Sequence, residues 1–127
     1  MSGGRFNYDQ YRIRDIANEV EKEIYNSGKK KTKIELEAES WRDPDWYEKY
    51  PEDLYHYEYP EEVINEFIKA YKILRVAEIY AHRIDYLLSG DDGEETFMGR
   101  LHEDLKVFDA ELAIKKQTGF QIEDMED

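Results

Sequence analysis

Three residues with ligand-type side chains, Glu78, His82 and Asp85, follow one another at spacings of four and three. If this stretch is helical, all three lie on one face, where carboxylate and imidazole groups could hold a metal ion. Carboxylate-bridged metal bundles, however, use Glu-x-x-His on two helices, whereas here the histidine comes four residues after its glutamate. The three residues are therefore weak candidates, and the sequence predicts no metal site and no cofactor.

A run of acidic residues, "DDGEE" at 91–95, comes shortly after this row. Ser89-Gly90 is typical of a helix end, and Asp92 followed by Glu95 fits a capping box at the start of the next helix. Glutamates in a first turn also suit the positive end of the helix dipole. The sequence therefore predicts a tight turn between two helices rather than a catalytic loop.

A second constellation combines rings with cations. Tyrosine and tryptophan could stack a base while arginine holds a phosphate, and the candidates for such a ligand site are Arg12, Arg14, Trp46, Tyr55 and Tyr57, assisted by the lysines at 29–31. The chain has no cysteine and no glycine-rich phosphate loop after a strand. These absences favour a non-enzymatic role, although two carboxylates would be enough for acid–base catalysis.

Charge is the strongest compositional signal, because the formal net charge is −13. The acidic excess is concentrated in 34–59 and 91–127. Such a field repels nucleic-acid backbones and attracts basic partners, so we expect a protein partner with a basic surface and no direct nucleic-acid binding. The acidic residues proposed to face this partner are Glu35, Glu37, Glu39, Asp91, Asp92 and Glu94.

Helical spacing of apolar residues predicts three long helices, over 8–26, 60–88 and 93–116. The first is expected to begin with a capping box from Asn7 to Gln10. The second carries more apolar surface than one stripe needs, which predicts self-association of the chain into a homo-oligomer. Residues 32–40 suit either a short helix capped by Thr32 and Glu35 or a strand.

Between the first two helices, residues 41–59 contain seven tryptophans and tyrosines. Asp43-Pro44 is typical of a helix start, and the alternation around Tyr57 favours an extended chain. We expect these rings to lie across the helices and to substitute for aliphatic core. The prediction is a mainly α, single helical domain over 1–117, with a long antiparallel helix pair, an N-terminal helix and an irregular Tyr/Trp-rich segment, followed by an acidic flexible tail at 118–127.

Three stretches, "MSGGRFNYDQYRI", "YPEDLYHYEYPEEV" and "HRIDYLLSGDDGEETF", together resemble a loosely defined group of small acidic uncharacterised proteins of bacteriophages and bacterial mobile elements. The resemblance implies an accessory role and no particular mechanism. The leading hypothesis is a non-enzymatic protein that binds and modulates a host or phage protein, with an acidic surface that could imitate nucleic acid. The alternatives are a binder that sequesters a nucleotide-like molecule and a metal-dependent hydrolase.

No apolar run reaches the ~20 residues of a membrane span, and no secretion signal opens the chain, so we expect the protein to be located in the cytoplasm of a bacterial host.

Overall fold

A long central helix, flanked by two others, organises residues 4–120, the part of the chain that the computed structural model describes. The helices are α1 (Gln10–Asn26), α2 (Lys33–Glu37), α3 (Trp46–Lys49), α4 (Glu61–Leu88) and α5 (Glu94–Thr118), with a short 3-10 turn at Pro51–Leu54. The predicted mainly α architecture is confirmed, and so are the three long helices, with ends that differ by up to two residues.

Helix α4 lies between α1 and α5 and runs antiparallel to both. Its Arg83 Nε lies 2.6 Å from Asp104 Oδ2 on α5, and its Arg75 Nη1 lies 2.8 Å from Glu111 Oε2 one heptad further along that helix. The core between the three helices is small, and the residues that form it are Ala17, Ile24, Tyr71, Ile79, Leu101, Phe108, Leu112 and Phe120. The predicted antiparallel pair is therefore joined across a core that α1 completes.

The core contains a buried cation. Arg75 is 6% exposed, and it donates to the Tyr71 hydroxyl and to Glu111 at 2.8 Å each. Its guanidinium carbon also lies 4.8 Å from the centroid of the Phe108 ring. A buried charge needs such partners, because burying an unpaired ion costs several kcal/mol.

The start of α1 differs from the prediction. Asn7 has a left-handed φ of 52°, and the helix begins at Gln10 without a side-chain cap. Gln10 is 2% exposed and donates its side-chain amide to Asp85 on α4 at 3.0 Å. The capping box from Asn7 to Gln10 is wrong, because the side-chain NH₂ group of the glutamine donates to a buried carboxylate on another helix.

The acidic residues of the turn between α4 and α5 also make contacts that differ from the prediction. Gly93, not Asp92, precedes the first residue of α5, and no side chain caps this end. The Asp92 side chain is 4% exposed and lies 3.2 Å from Arg100 Nη1 and 4.0 Å from Arg83 Nη1. The predicted cap at Asp92 is wrong, because two guanidinium groups hold the carboxylate away from the helix end, but the tight turn itself is present.

The ambiguous segment 32–40 contains a helix. The Thr32 hydroxyl accepts from Glu35 N at 3.2 Å, and Glu35 Oε1 accepts from Thr32 N at 2.7 Å. This reciprocal capping box is the one that the sequence indicated. It satisfies two N–H groups of a helix only five residues long.

The rings of the aromatic segment 41–59 are not buried as predicted. None of its seven Trp and Tyr side chains is buried, and Trp41 and Tyr57 are 73% and 71% exposed. Helix α3 begins at Trp46 after Asp45, rather than at Asp43-Pro44. Tyr59 meets Phe67 of α4 edge to face at 5.0 Å. The expectation that these rings replace aliphatic core is wrong, because the segment packs mainly on the linker after α1.

The chain end departs from the predicted boundary at 118. Gly119 adopts a left-handed φ of 72° at the end of α5, which turns the chain back toward the bundle. Phe120 is then 2% exposed, and its ring stands edge-on to Tyr71 with centroids 5.8 Å apart. The folded domain therefore extends to residue 120, and the remaining predicted tail, 121–127, lies outside the described residues.

Candidate partner-binding site

An open groove lies where the linker after α1 meets the chain that leads into α4. Gly28, with φ +73°, reverses the chain after α1, and three backbone hydrogen bonds then pair 28–31 with 54–57 in antiparallel fashion. Lys31 N donates to Leu54 O at 2.8 Å, His56 N to Lys29 O at 2.8 Å, and Gly28 N to Tyr57 O at 3.3 Å. A β-carbon at Gly28 would lie 3.2 Å from Glu58 Cγ, so glycine also permits the close approach of the two segments.

This feature, which we call the tyrosine groove, has a volume of about 720 Å³ and is lined by Gly28, Lys31, Glu52, Asp53, Tyr55, His56, Tyr57 and Glu58. Tyr55 is 49% exposed and Tyr57 is 71% exposed. The ring of Tyr57 is braced edge-on against Tyr59, with centroids 5.0 Å apart. The groove thus presents two accessible rings on a backbone that neighbouring hydrogen bonds hold in place.

Acidic side chains outnumber basic ones in the lining of the tyrosine groove, and the exposed Lys29 and Lys30 adjoin it, with Lys30 paired to Tyr55 by an antiparallel bridge. Glu52 and Glu58 are exposed. Lys31 is the lysine of the lining, and its Nζ lies 2.9 Å from Glu39 Oε2 outside the groove. Asp53 accepts from Arg42 Nη1 at 2.8 Å and from Trp46 Nε1 at 2.7 Å. Glu52 and Glu58 are therefore the exposed carboxylates of the lining, and a ligand would meet them beside the two tyrosine rings.

A cage around Arg42 supports one wall of the groove. The guanidinium carbon of Arg42 lies 4.8 Å from the Trp41 ring centroid and 5.0 Å from that of Trp46. Glu39 accepts a hydrogen bond from the Tyr47 hydroxyl, which is the largest of the contacts that lower the pKa of Glu39. Trp46 also packs against Tyr50, with ring centroids 4.7 Å apart. Its ring is therefore part of the cage around Arg42 and is not available to stack on the base of a ligand.

The five residues of the alternative ligand site do not converge. The groove that holds Tyr55 and Tyr57 lies beside the C-terminal end of α1. Arg12 and Arg14 lie in the first turns of that helix, at its opposite end. Those turns are separated from Gly28 by roughly 20 Å at 1.5 Å per residue. The Arg12 side chain is 84% exposed beside Asp9, and Arg14 lies 3.5 Å from Glu78. The structure therefore separates the rings from the arginines that were expected to hold phosphate, whereas the lysines at 29–31 that were expected to assist them lie on the segment paired with Tyr55.

The six acidic candidates also fall into two separate groups. Glu35 and Glu39 lie beside the tyrosine groove at the start of α4, and both are paired: Glu35 Oε2 lies 3.0 Å from His56 Nε2. Burial alone would raise the pKa of Glu35, but hydrogen bonds from Thr32 and His56 outweigh burial and lower it. Glu37 is exposed on the same short helix.

The second acidic group follows the other end of α4. Asp91 and Glu94 are exposed, whereas Asp92 is buried. Because α4 has 28 residues, the two groups are separated by roughly 40 Å along its axis. They do not form one continuous acidic surface.

The metal candidates are occupied by structural contacts. Glu78 Oε1 lies 3.5 Å from Arg14 and 3.6 Å from Arg75, and His82 packs edge-on to Tyr86 at 4.7 Å. Within residues 4–120, no group of three or more His, Cys, Asp or Glu side chains is placed to hold a metal ion. The row of three therefore does not form the centre that its spacing allowed.

Asp85 has a role that the sequence did not indicate. It is 1% exposed, and its two oxygens accept from three successive backbone groups, Gly4 N at 3.0 Å, Arg5 N at 2.6 Å and Phe6 N at 3.3 Å. Burial alone would raise the pKa of Asp85, but the hydrogen bonds from Gly4, Gln10, Arg5 and Phe6 outweigh it and hold that pKa below its usual value. The residue anchors the N-terminal segment to α4. No signal in the sequence marked this role, because the same helix face also carries the polar Glu78 and His82.

Comparisons with protein-family models, curated proteins and solved structures give no match to this chain. No helix within the described residues is both long enough and apolar enough to cross a bilayer.

Proposed function

We propose that this chain is a non-enzymatic binding protein that holds a positively charged segment of a partner protein in the tyrosine groove. The observation that carries the proposal is the exposure of Tyr55 and Tyr57 beside the exposed carboxylates of Glu52 and Glu58. A lysine or arginine side chain fits this combination, because its cation is attracted both to the face of a tyrosine ring and to a carboxylate.

An aromatic anchor with an acidic rim could bind a cationic side chain through two kinds of contact. A cation over an exposed ring contributes about 0.5–1 kcal/mol, and an exposed ion pair contributes up to about 1 kcal/mol. Tyrosine is enriched among the residues that dominate protein interfaces. Tyr57, which is 71% exposed and braced by Tyr59, would lose little conformational entropy when it is covered.

This groove is a better candidate than an extended imitation of nucleic acid. A phosphate mimic needs a row of available carboxylates, but Glu35 and Glu39 are already paired with His56 and Lys31, and the second acidic group lies at the far end of α4. Sequestration of a nucleotide-like molecule is also less favoured. The arginines at the start of α1 are remote from the groove, and the lysines at 29–31 lie beside the acidic residues Glu52, Asp53 and Glu58 of its lining.

The biological setting in this proposal follows the resemblance found in the sequence. The chain acts as an accessory protein of a bacteriophage or mobile element, in the cytoplasm of the bacterial host. It modulates a host or phage protein by covering a basic segment of that protein. The proposed assembly is homo-oligomeric.

The test uses a fluorescein-labelled peptide of alternating lysine and serine, with binding followed by fluorescence anisotropy. Glu52→Gln combined with Glu58→Gln should weaken binding about five- to tenfold, as the loss of two exposed ion pairs predicts. Tyr57→Ala should weaken it further. The affinity should fall as salt rises, because exposed charges are screened over ~10 Å at 0.1 M.

Matched variants separate the groove from general charge attraction. Glu94→Gln combined with Glu103→Gln changes the net charge by the same amount at exposed positions of α5. Tyr11→Ala removes a ring that is 48% exposed near the start of α1. If these controls weaken peptide binding as much as the groove variants do, the groove is not the site and the proposal is overturned.

A further inference from the structure

The outer face of α4 carries an apolar row that the rest of the described chain leaves partly or largely exposed. Its members are separated by four, three, four and three residues, and they are Ile73, Ala77, Tyr80, Ile84 and Leu87. Ile73 is 67% exposed and Tyr80 is 42% exposed; Ala77 is exposed, and the last two are half-buried. Leu88, which is 48% exposed, widens the end of the row.

This row contains no charge, although 39% of the residues in the chain are charged. The charged residues of the same stretch are used elsewhere. Arg75 and Asp85 are buried in the bundle, and Arg83 pairs with Asp104 of α5. The alternating four-three spacing is the repeat by which two helices pack along a shared seam. The outer face of α4 thus has the pattern of a helix that packs on another helix.

We propose that this row is a homodimer interface, on which α4 of a second copy lies antiparallel with the twofold axis at Tyr80. The inference specifies the self-association included in the proposed function and does not depend on the tyrosine groove. A twofold contact brings the same patch of both copies together, so the row must be complementary to itself when its direction is reversed.

The side-chain sizes satisfy this requirement. With Tyr80 opposite its own counterpart, Ile73 of one copy faces Leu87 of the other, and Ala77 lies within about 1.5 Å, the rise of one residue, of the level of Ile84. Each alanine thus receives a large side chain, which is the alternation of small and large residues that fills a helix–helix seam. The tyrosine rings meet at the centre, where an aromatic pair adds about 0.5–1.5 kcal/mol beyond its buried area.

The ends of the row carry complementary charges. Lys69 and Lys72 precede the row on α4, and both are exposed. Lys69 Nζ also lies 3.0 Å from Glu66 Oε2 in an exposed pair on the same helix, which leaves its outer side accessible to the second copy. In the reversed copy, Asp91 lies at the level of Lys69, just after the end of the helix. A parallel arrangement would instead put the lysines of the two copies side by side. Charge therefore favours the antiparallel direction at both ends of the seam.

The dimensions indicate a moderate affinity. From Ile73 to Leu88 the row is ~23 Å long, on a helix about 10 Å across. A stable interface buries about 800 Å² on each partner, so a seam of this size lies at the low end and should dissociate in the micromolar range. Since each copy carries a net charge of −13, added salt should strengthen the dimer by screening the repulsion between copies. This is the opposite of the salt dependence expected for a cationic ligand.

Sedimentation velocity of the full chain at micromolar concentration is the first test. We expect a monomer–dimer equilibrium that shifts toward dimer as salt rises. Ala77→Glu should raise the dissociation constant at least about tenfold, because it places a carboxylate in the seam. Ile114→Glu is the matched control: it adds the same charge at a position on α5 that is 60% exposed, and dimerisation should be unchanged.

The direction of the seam can be tested by cross-linking, since the chain has no cysteine of its own. Tyr80→Cys should form a disulfide-linked dimer under mild oxidation. A mixture of Ile73→Cys and Leu87→Cys should form the mixed disulfide, while neither variant alone should cross-link. A chain that stays monomeric, an Ile73→Cys variant that cross-links with itself, or equal effects of Ala77→Glu and Ile114→Glu would each overturn the inference. Dimerisation through α4 without binding of the cationic peptide would support this inference and refute the groove.

Discussion

Replacing Asp85 by asparagine changes one oxygen into an amide group at a site that is 1% exposed. In the wild-type chain, Oδ1 accepts from Arg5 N and Phe6 N, and Oδ2 accepts from Gly4 N and Gln10 Nε2. The asparagine oxygen can keep one of these pairs. The new NH₂ group then faces two donors, so two hydrogen bonds to a charged acceptor are lost.

The expected cost follows from those two bonds. Hydrogen bonds to charged groups contribute about 1.5–3 kcal/mol each. Gly4 is half-buried, so water can replace part of its lost bond, and the lower end of the sum applies. We therefore expect Asp85→Asn to lower the free energy of unfolding by about 3 kcal/mol, a large part of the 5–15 kcal/mol that is typical of a domain.

Urea denaturation followed by circular dichroism measures this change. With a slope of about 1–3 kcal/mol per molar urea, the midpoint should fall by roughly 1–3 M. Asp109→Asn, at an exposed position of α5, is the matched control and should stay within about 0.5 kcal/mol of the wild type. Amide exchange at Arg5 and Phe6 should accelerate in the Asp85 variant. A variant as stable as the control, with unchanged exchange, would refute the anchoring role of this carboxylate.

The pH dependence provides an independent check with a defined sign. The pKa of Asp85 is lowered in the folded chain, so its contribution is complete above the ordinary aspartate value of ~3.9. That contribution is lost as the pH falls through the lower folded value. The difference in stability between the wild type and Asp85→Asn should therefore be constant near neutral pH and shrink below about pH 4. A difference that grows on acidification would contradict the assignment.

Four further substitutions test the fold. Gly28→Ala should destabilise the folded chain by about 1–2 kcal/mol, because the left-handed φ is strained for alanine. Gly99→Ala, in the middle of α5, should stabilise the folded chain by up to about 1 kcal/mol. Equal effects of the two substitutions in thermal unfolding would contradict the role assigned to Gly28. Phe120→Ala should cost about 3–5 kcal/mol by urea denaturation, as loss of a buried aromatic does, and a neutral effect would mean that Phe120 does not pack on Tyr71. Thr32→Ala should cost about 1 kcal/mol as loss of a helix cap, and unchanged stability would show that this cap is not important.

Local patterns predicted the long helices because their signals lie within a few residues of each other. Pro60 and the glutamates after it indicate the start of α4 by their backbone preference and charge. The Thr32 and Glu35 pair indicates α2 in the same way. Such signals act on N–H groups a few residues away, so they predict a helix start independently of the contacts made by distant segments.

The same rules failed at Gln10 and Asp92, where a distant group competes for the side chain. Gln10 donates to Asp85, 75 residues away in the sequence, and Asp92 pairs with Arg100 and Arg83. A charged partner offers a stronger hydrogen bond than a helix end does. Local sequence cannot show which of these partners will be within reach.

By itself, the sequence determined the helical class, the strong acidic charge and the presence of many rings between the first two long helices. Only the tertiary structure decided that Asp85 anchors the N-terminal segment, that the aromatic segment is exposed, and that Tyr57 lies near Glu52 while Arg12 is remote from it. The physical reason is that helical periodicity and capping are short-range properties of the chain. Burial and ion pairing depend instead on which distant segments meet in the folded molecule.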